Sequence, residues 1–178
     1  MRAQLKHIQR KLETTTVYVT HDQIEAMTLA DRIAIMDKGK IQQLGTPDDV
    51  YNNPTNVFVA SFIGSPPMNL IKGDLESGTF IGPATRVEGA GKGSRKKIIL
   101  GIRPEDISVA DAGKGHLNST LYSLEPTGDQ TLVAAFAGDQ LIVAKGARSF
   151  RQVIDTPISL NFDPERIYMF DDASGKRI

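Results

Sequence analysis

Apolar residues in the first 64 positions recur at helical spacing and then in a strand–helix–strand order. Beyond residue 65 they follow the short alternations of β-strands. Met1, Leu5, Ile8 and Leu12 lie four, three and four residues apart, which marks one helix face. Arg2, Lys6, Arg10 and Lys11 take the other face, with His7 beside them; this stripe reads as a solvated face in preference to a phosphate-binding surface. Residues 16–20 (TVYVT) form a β-branched and aromatic run of strand length. The pattern turns helical at His21-Asp22-Gln23, where Asp22 is placed as N-cap and Glu25 as its capping-box partner, with Ile24 and Met27 on one face. Asp31-Arg32 closes that helix, residues 33–36 form a second strand, and residues 37–40 turn the chain into Ile41. His21 is therefore predicted at the carboxyl end of a strand and just before a helix, the edge at which open α/β sheets bind ligands.

Thr46-Pro47-Asp48-Asp49 is a helix start, with an N-cap, a proline at the first position and two carboxylates where the helix dipole favours them. Adjacent helical side chains diverge by roughly 100°, so Asp48 and Asp49 read as helix-start electrostatics and not as a catalytic pair. A short helix follows over residues 57–63, and Gly64-Ser65-Pro66-Pro67 breaks regular structure. That break divides the chain into residues 1–64 and 65–178. The second part offers strands at 69–75, 79–81, 97–103, 117–124, 131–136, 141–145, 158–162 and 167–170. Thr127-Gly128-Asp129 and Ala137-Gly138-Asp139 supply hairpin chemistry between them, and the spacing implies a small barrel or sandwich. The Gly- and Lys-rich stretch at 89–97 lacks a G-K-[ST] ending and reads as a mobile loop, not a phosphate cradle.

Charge narrows the choice of partner. Lys plus Arg equals Asp plus Glu, 21 each, and the balance holds in both parts, seven of each sign in 1–64 and fourteen in 65–178. Nothing favours nucleic acid or an anionic membrane. The absence of cysteine excludes disulfides and thiolate metal ligands, and no metal site is expected. No apolar run approaches a membrane span, so membrane association would come through a partner. The aromatic residues of the second part (Phe80, Tyr122, Phe136, Phe150, Phe162, Tyr168 and Phe170) mostly alternate with polar ones as core positions do, which argues against base stacking.

The run V-T-H-D-Q-x-E-A-M-T-L-A-D-R-I-x-x-M-x-x-G-x-I-x-Q-x-G-T-P at residues 19–47 resembles the switch-histidine region of ABC-transporter ATP-binding subunits, in the form of the carbohydrate and glycerol-phosphate importers. The resemblance continues through Asn53-Pro54, F-V-A-S-F-I-G-S-P at 58–66 and G-I-R-P-E at 101–105. No G-x-x-x-x-G-K-[ST], no L-S-G-G-Q and no strand ending in Asp-Glu occurs within these 178 residues.

The resemblance implies an α+β chain: the distal fragment of a P-loop NTPase α/β domain (1–64) followed by an all-β, OB-like transport-associated regulatory domain (65–178), together a truncated subunit. It implies that His21 contacts the γ-phosphate of ATP and helps order the attacking water when two subunits close. A strand-end histidine of no catalytic role is the alternative. ATP and Mg²⁺ belong to the intact subunit, and this chain alone is expected to hold neither and to be inactive. The implied partners are a second copy of the subunit, packed through 65–178, and transmembrane permease subunits, which would place the protein at the cytoplasmic face of the membrane. The rival function is a free-standing OB-like module that senses a small ligand. Its candidate contacts are Arg103 and Glu105, at a strand end beside a proline, whose alternative is an ordinary surface ion pair.

Overall fold

A computed structural model describes residues 2–12 and 14–178, the side chains of residues 2, 3, 9, 10 and 12 excepted. Met1 and Leu12 of the apolar face, and Arg2 and Arg10 of the basic stripe, thus lie outside the described side chains. The chain divides into two compact units, Met1–Gly64 and Ser65–Ile178. Among the described residues, no helix is long and apolar enough to cross a membrane.

The first unit opens with helix α1 (Arg2–Leu12), whose Leu5 and Ile8 are exposed. The Lys6 ammonium donates to the Thr28 carbonyl at 3.0 Å and so ties α1 to helix α2 (Gln23–Leu29). Strands β1 (Ile33–Asp37) and β2 (Lys40–Gly45) form an antiparallel hairpin around Lys38-Gly39, both at positive φ (47° and 76°), the backbone of a tight two-residue turn. Helices α3 (Pro47–Asn52) and α4 (Val57–Phe62) follow. Thr46 caps α3 in a full capping box: its hydroxyl accepts from the Asp49 N–H at 3.1 Å, and the Asp49 carboxylate accepts from the Thr46 N–H. Ile33, Ile35, Val50, Val59 and Ile63 are the core, and Ala26, Met27 and Ala30 of the α2 segment pack on it. Ile24 does not share that contact and is exposed.

The strand predicted over residues 16–20 is absent. The segment joins no ladder, with Val17 and Val19 each 90% exposed. A β-branched run becomes a strand only when a neighbour takes its backbone groups and covers a face, and no described residue does so here. His21 therefore follows a segment outside any ladder and not a strand end.

The second unit is all β apart from two 3-10 turns. Its strands are β3 (Asn69–Glu76), β4 (Thr79–Gly82), β5 (Thr85–Val87), β6 (Arg95–Ile102), β7 (Ile107–Ala110), β8 (Leu117–Pro126), β9 (Gln130–Ala137), β10 (Gln140–Ala147), β11 (Pro157–Phe162) and β12 (Tyr168–Asp171). The antiparallel order is β10-β9-β8-β5-β4-β3-β6-β12, with β11 pairing both β7 and β8. Alternate residues point inward, so Ile71, Phe80, Leu100, Ile102, Leu121, Val133, Ile142 and Leu160 enter one core with almost no exposure. Two strands escape the sequence pattern. β5 is three residues long between turns, and β7 directly follows the 3-10 turn Pro104–Asp106.

Candidate functional site

The chain around His21 is pinned from both sides. The Thr20 hydroxyl accepts from the Asp22 N–H at 2.9 Å and donates to the Glu25 carboxylate at 2.9 Å. Asp22 Oδ1 accepts from the N–H groups of Ile24 (2.8 Å) and Glu25 (3.1 Å), which fixes the start of α2. Tyr18 adds a hydroxyl bond to Glu25 at 3.1 Å, and that bond, with the charge of Glu25 behind it, raises the phenol above its ordinary pKa. Glu25 thus ties the helix to the segment before it and does not close the expected capping box with Asp22, whose N–H goes to Thr20 instead. Gln23 Oε1 accepts from the Gly64 N–H at 2.8 Å and anchors the helix start to the end of the unit. The result is a sharp corner with the His21 imidazole exposed at its tip.

The imidazole can donate one hydrogen bond and accept another. The corner does not form an anion cradle, because the amides of Ile24 and Glu25 are already directed at Asp22. Among the described residues no group of three or more His, Cys, Asp or Glu side chains could hold a metal. These residues therefore do not themselves fit ATP or Mg²⁺. What the corner offers is one exposed imidazole, a single hydrogen-bonding side chain.

Arg103 and Glu105 lie in the other unit. Arg103 follows β6 and is only 2% exposed, so it is no surface group. Pro104–Asp106 turns at once, closed by the Asp106 N–H donating to the Arg103 carbonyl at 3.0 Å. Glu105 makes an ion pair with Lys145 of β10 at 3.1 Å, both side chains partly shielded. Burial, and then the neighbouring charge of Glu105, pushes the Asp106 carboxyl above its usual range. A shallow cavity of about 310 Å³ is lined by Leu75, Glu76, Ser94, Arg95 and Lys96, and includes none of these residues. Its Lys96 is already engaged by Asp74 (3.1 Å) and Glu76 (2.7 Å).

Two aromatics depart from the core pattern: Tyr122 and Phe136 are exposed and meet edge to face at 4.9 Å. Sequence reasoning also missed Asn69, whose buried amide bonds to Val143, 74 residues away, and His116, whose Nδ1 accepts from the Phe162 N–H. Neither carries a local signal, because each partner comes from a strand far along the chain.

Family models match the second unit in two overlapping blocks, the MalK OB fold domain over residues 64–107 and the TOBE domain over residues 100–170. The chain is 40% identical over 184 residues to the sn-glycerol-3-phosphate import ATP-binding protein UgpC of Salmonella paratyphi A, covering all of this chain and 52% of the relative. It is 38% identical over 194 residues to the trehalose/maltose import ATP-binding protein MalK of Thermococcus litoralis, again covering all of this chain and 52% of the relative. A putative ATP-binding protein of Brucella abortus is 40% identical over 178 residues, with 98% of this chain and 50% of the relative covered. The chain spans about half the length of the curated relatives it matches.

Proposed function

We propose that the chain supplies the switch-histidine corner and the regulatory domain of an ATP-binding subunit of a sugar or glycerol-phosphate ABC importer, a reading supported by its matches to the MalK OB fold and TOBE domain models and by its similarity to UgpC and MalK. Residues 1–64 act as the C-terminal part of the nucleotide-binding domain, and residues 65–178 as the regulatory, self-associating domain. The observation that carries this is the match at about 40% identity along the whole chain, which includes the first unit and not the regulatory domain alone. The exposed residues 16–19 support the same reading: Val17 and Val19 suit a strand whose neighbours belong to other residues of the subunit.

In this reading ATP and Mg²⁺ are held by other residues of the subunit, and His21 supplies a hydrogen bond at the γ-phosphate end. Phosphoryl transfer depends mainly on positioning and charge stabilisation, and a group at a pinned corner suits the former. The partners are a second subunit and membrane permeases at the cytoplasmic face, and the solute is a sugar or a glycerol phosphate. The candidate contacts for a regulatory ligand are Arg103 and Glu105, of which Glu105 is partly exposed in its ion pair with Lys145 and Arg103 is buried.

The test is made in an ATP-binding subunit that carries this segment together with a phosphate-binding loop. His21→Ala should lower single-turnover hydrolysis about 10²–10³-fold, the range for one contact made mainly in the transition state, while ATP affinity changes little. Asp22→Ala should instead cost about 1 kcal/mol of stability through the lost cap and leave hydrolysis intact. Near-normal hydrolysis by His21→Ala would return the residue to the role of a plain corner histidine.

A further inference from the structure

Strand β10 ends the sheet path, and its outer edge lies against β3 with no backbone ladder between them. Side chains bridge the two strands instead. The amide of Asn69, itself 6% exposed, reproduces a ladder pair: its Oδ1 accepts from the Val143 N–H at 2.8 Å, and its Nδ2 donates to the Val143 carbonyl at 2.9 Å. The same Nδ2 reaches the Ile102 carbonyl of β6 at 3.2 Å. Three residues further along β3, the Lys72 N–H donates to Gln140 Oε1 at 3.1 Å. The Lys145–Glu105 ion pair at 3.1 Å joins β10 to the 3-10 turn after β6.

We infer that the β3/β10 seam is a latch made of side chains, and that the β9–β10 hairpin opens along it as a unit before the rest of the domain unfolds. A backbone ladder would have to break residue by residue. Here the hydrogen bonds between β10 and β3 come from the side chains of Asn69 and Gln140, so β10 parts from β3 by breaking those bonds and drawing Ile142 and Ala144 out of the core, while its own pairing with β9, from Gln140↔Ala137 to Ala147↔Gln130, stays whole. Local opening of this kind is expected where a cooperative unit is held to its neighbours by few bonds. Lys145 lies on β10 and Glu105 on the turn after β6, so opening the seam also separates that ion pair. An open β10 edge presents unpaired N–H and C=O groups. The domain therefore has a closed and an unlatched form.

Native-state hydrogen exchange of the chain, resolved by residue, reads the latch directly. The Val143 and Lys72 amides have side-chain acceptors across the seam, whereas Leu100 sits in the middle of the β3–β6 ladder opposite Ile71. Val143 and Lys72 should share one protection factor, about 10- to 100-fold below that of Leu100. Gln140→Ala touches only the acceptor of Lys72 at a solvent-facing edge and leaves the core in place. In a cooperative latch it should speed Val143 as well as Lys72, by about tenfold for one lost bond, with Leu100 unchanged. Asn69→Ala should widen the gap between Val143 and Leu100 further. Acceleration of Lys72 alone in Gln140→Ala would overturn the inference, and so would Val143 protection equal to that of Leu100 in the native chain.

Discussion

Replacing His116 should change both the stability of the second unit and the way that stability depends on pH. His116 precedes β8, and its Nδ1 accepts from the Phe162 N–H at 2.9 Å, so the ring proton sits on Nε2. The ring also packs against Phe162 at 6.0 Å, and the His116 carbonyl accepts from the Arg86 N–H. Phe162 is 2% exposed, and in His116→Ala its N–H loses its acceptor, at about 1–3 kcal/mol. Lost ring packing adds about 0.5–1.5 kcal/mol. The sum, about 1.5–4.5 kcal/mol, corresponds to a fall in Tm of roughly 5–20 °C for a unit of this size. Protonation attacks the same bond, since a protonated Nδ1 cannot accept. Burial lowers the His116 pKa below its ordinary value, partly opposed by the charge of Glu88. The unfolded chain, titrating near 6.5, then binds more protons than the folded one just below that pH, so stability should rise with pH up to about 7 and fall as pH drops through 6.5. His116→Asn places an amide oxygen near the position of Nδ1 and does not titrate. It should keep most of the stability at pH 7 and flatten the dependence between pH 5 and 7. Thermal melts of the three proteins across that range are the assay. A His116→Asn curve parallel to the native one would show that the pH dependence arises elsewhere and would refute the reasoning.

Thr46→Ala removes the hydroxyl half of the α3 capping box, leaves the backbone N–H to Asp49 bond in place, and should cost about 1 kcal/mol, read by urea melts of the first unit. Gly73→Ala would place a Cβ against the Ile81 carbonyl oxygen and within 2.6 Å of the Phe80 ring, so overpacking of about 1–3 kcal/mol should lower the melting temperature of the second unit. The proposed pairing of regulatory domains predicts concentration-dependent self-association of the chain in light scattering, and a strict monomer at high micromolar concentration would count against it.

What the sequence made legible was local. Thr46 and Asp49, Asp22 with its two amides, and the Lys38-Gly39 turn lie within a few residues of their partners, and their chemistry names the element they begin or end. The β-rich character of the second unit was legible for a similar reason, since two-residue alternation reports which face is buried whatever lies against it. Arg103 misled because a charged residue beside a proline suggests a surface, whereas the chain there runs from the buried end of β6 into a turn packed against β10. Residues 16–20 misled in the opposite direction. Their composition describes what the segment can pair with, while strand formation depends on a neighbour, and Val17 and Val19 have none among the described residues. Asn69 shows the same dependence from the other side. An asparagine at a strand start looks like a turn residue, yet here its amide stands in for a missing stretch of backbone ladder with Val143. In both cases the deciding quantity is a contact made far along or outside the local sequence, and only the placement of the second partner reveals whether the first is a strand, a latch or an exposed edge.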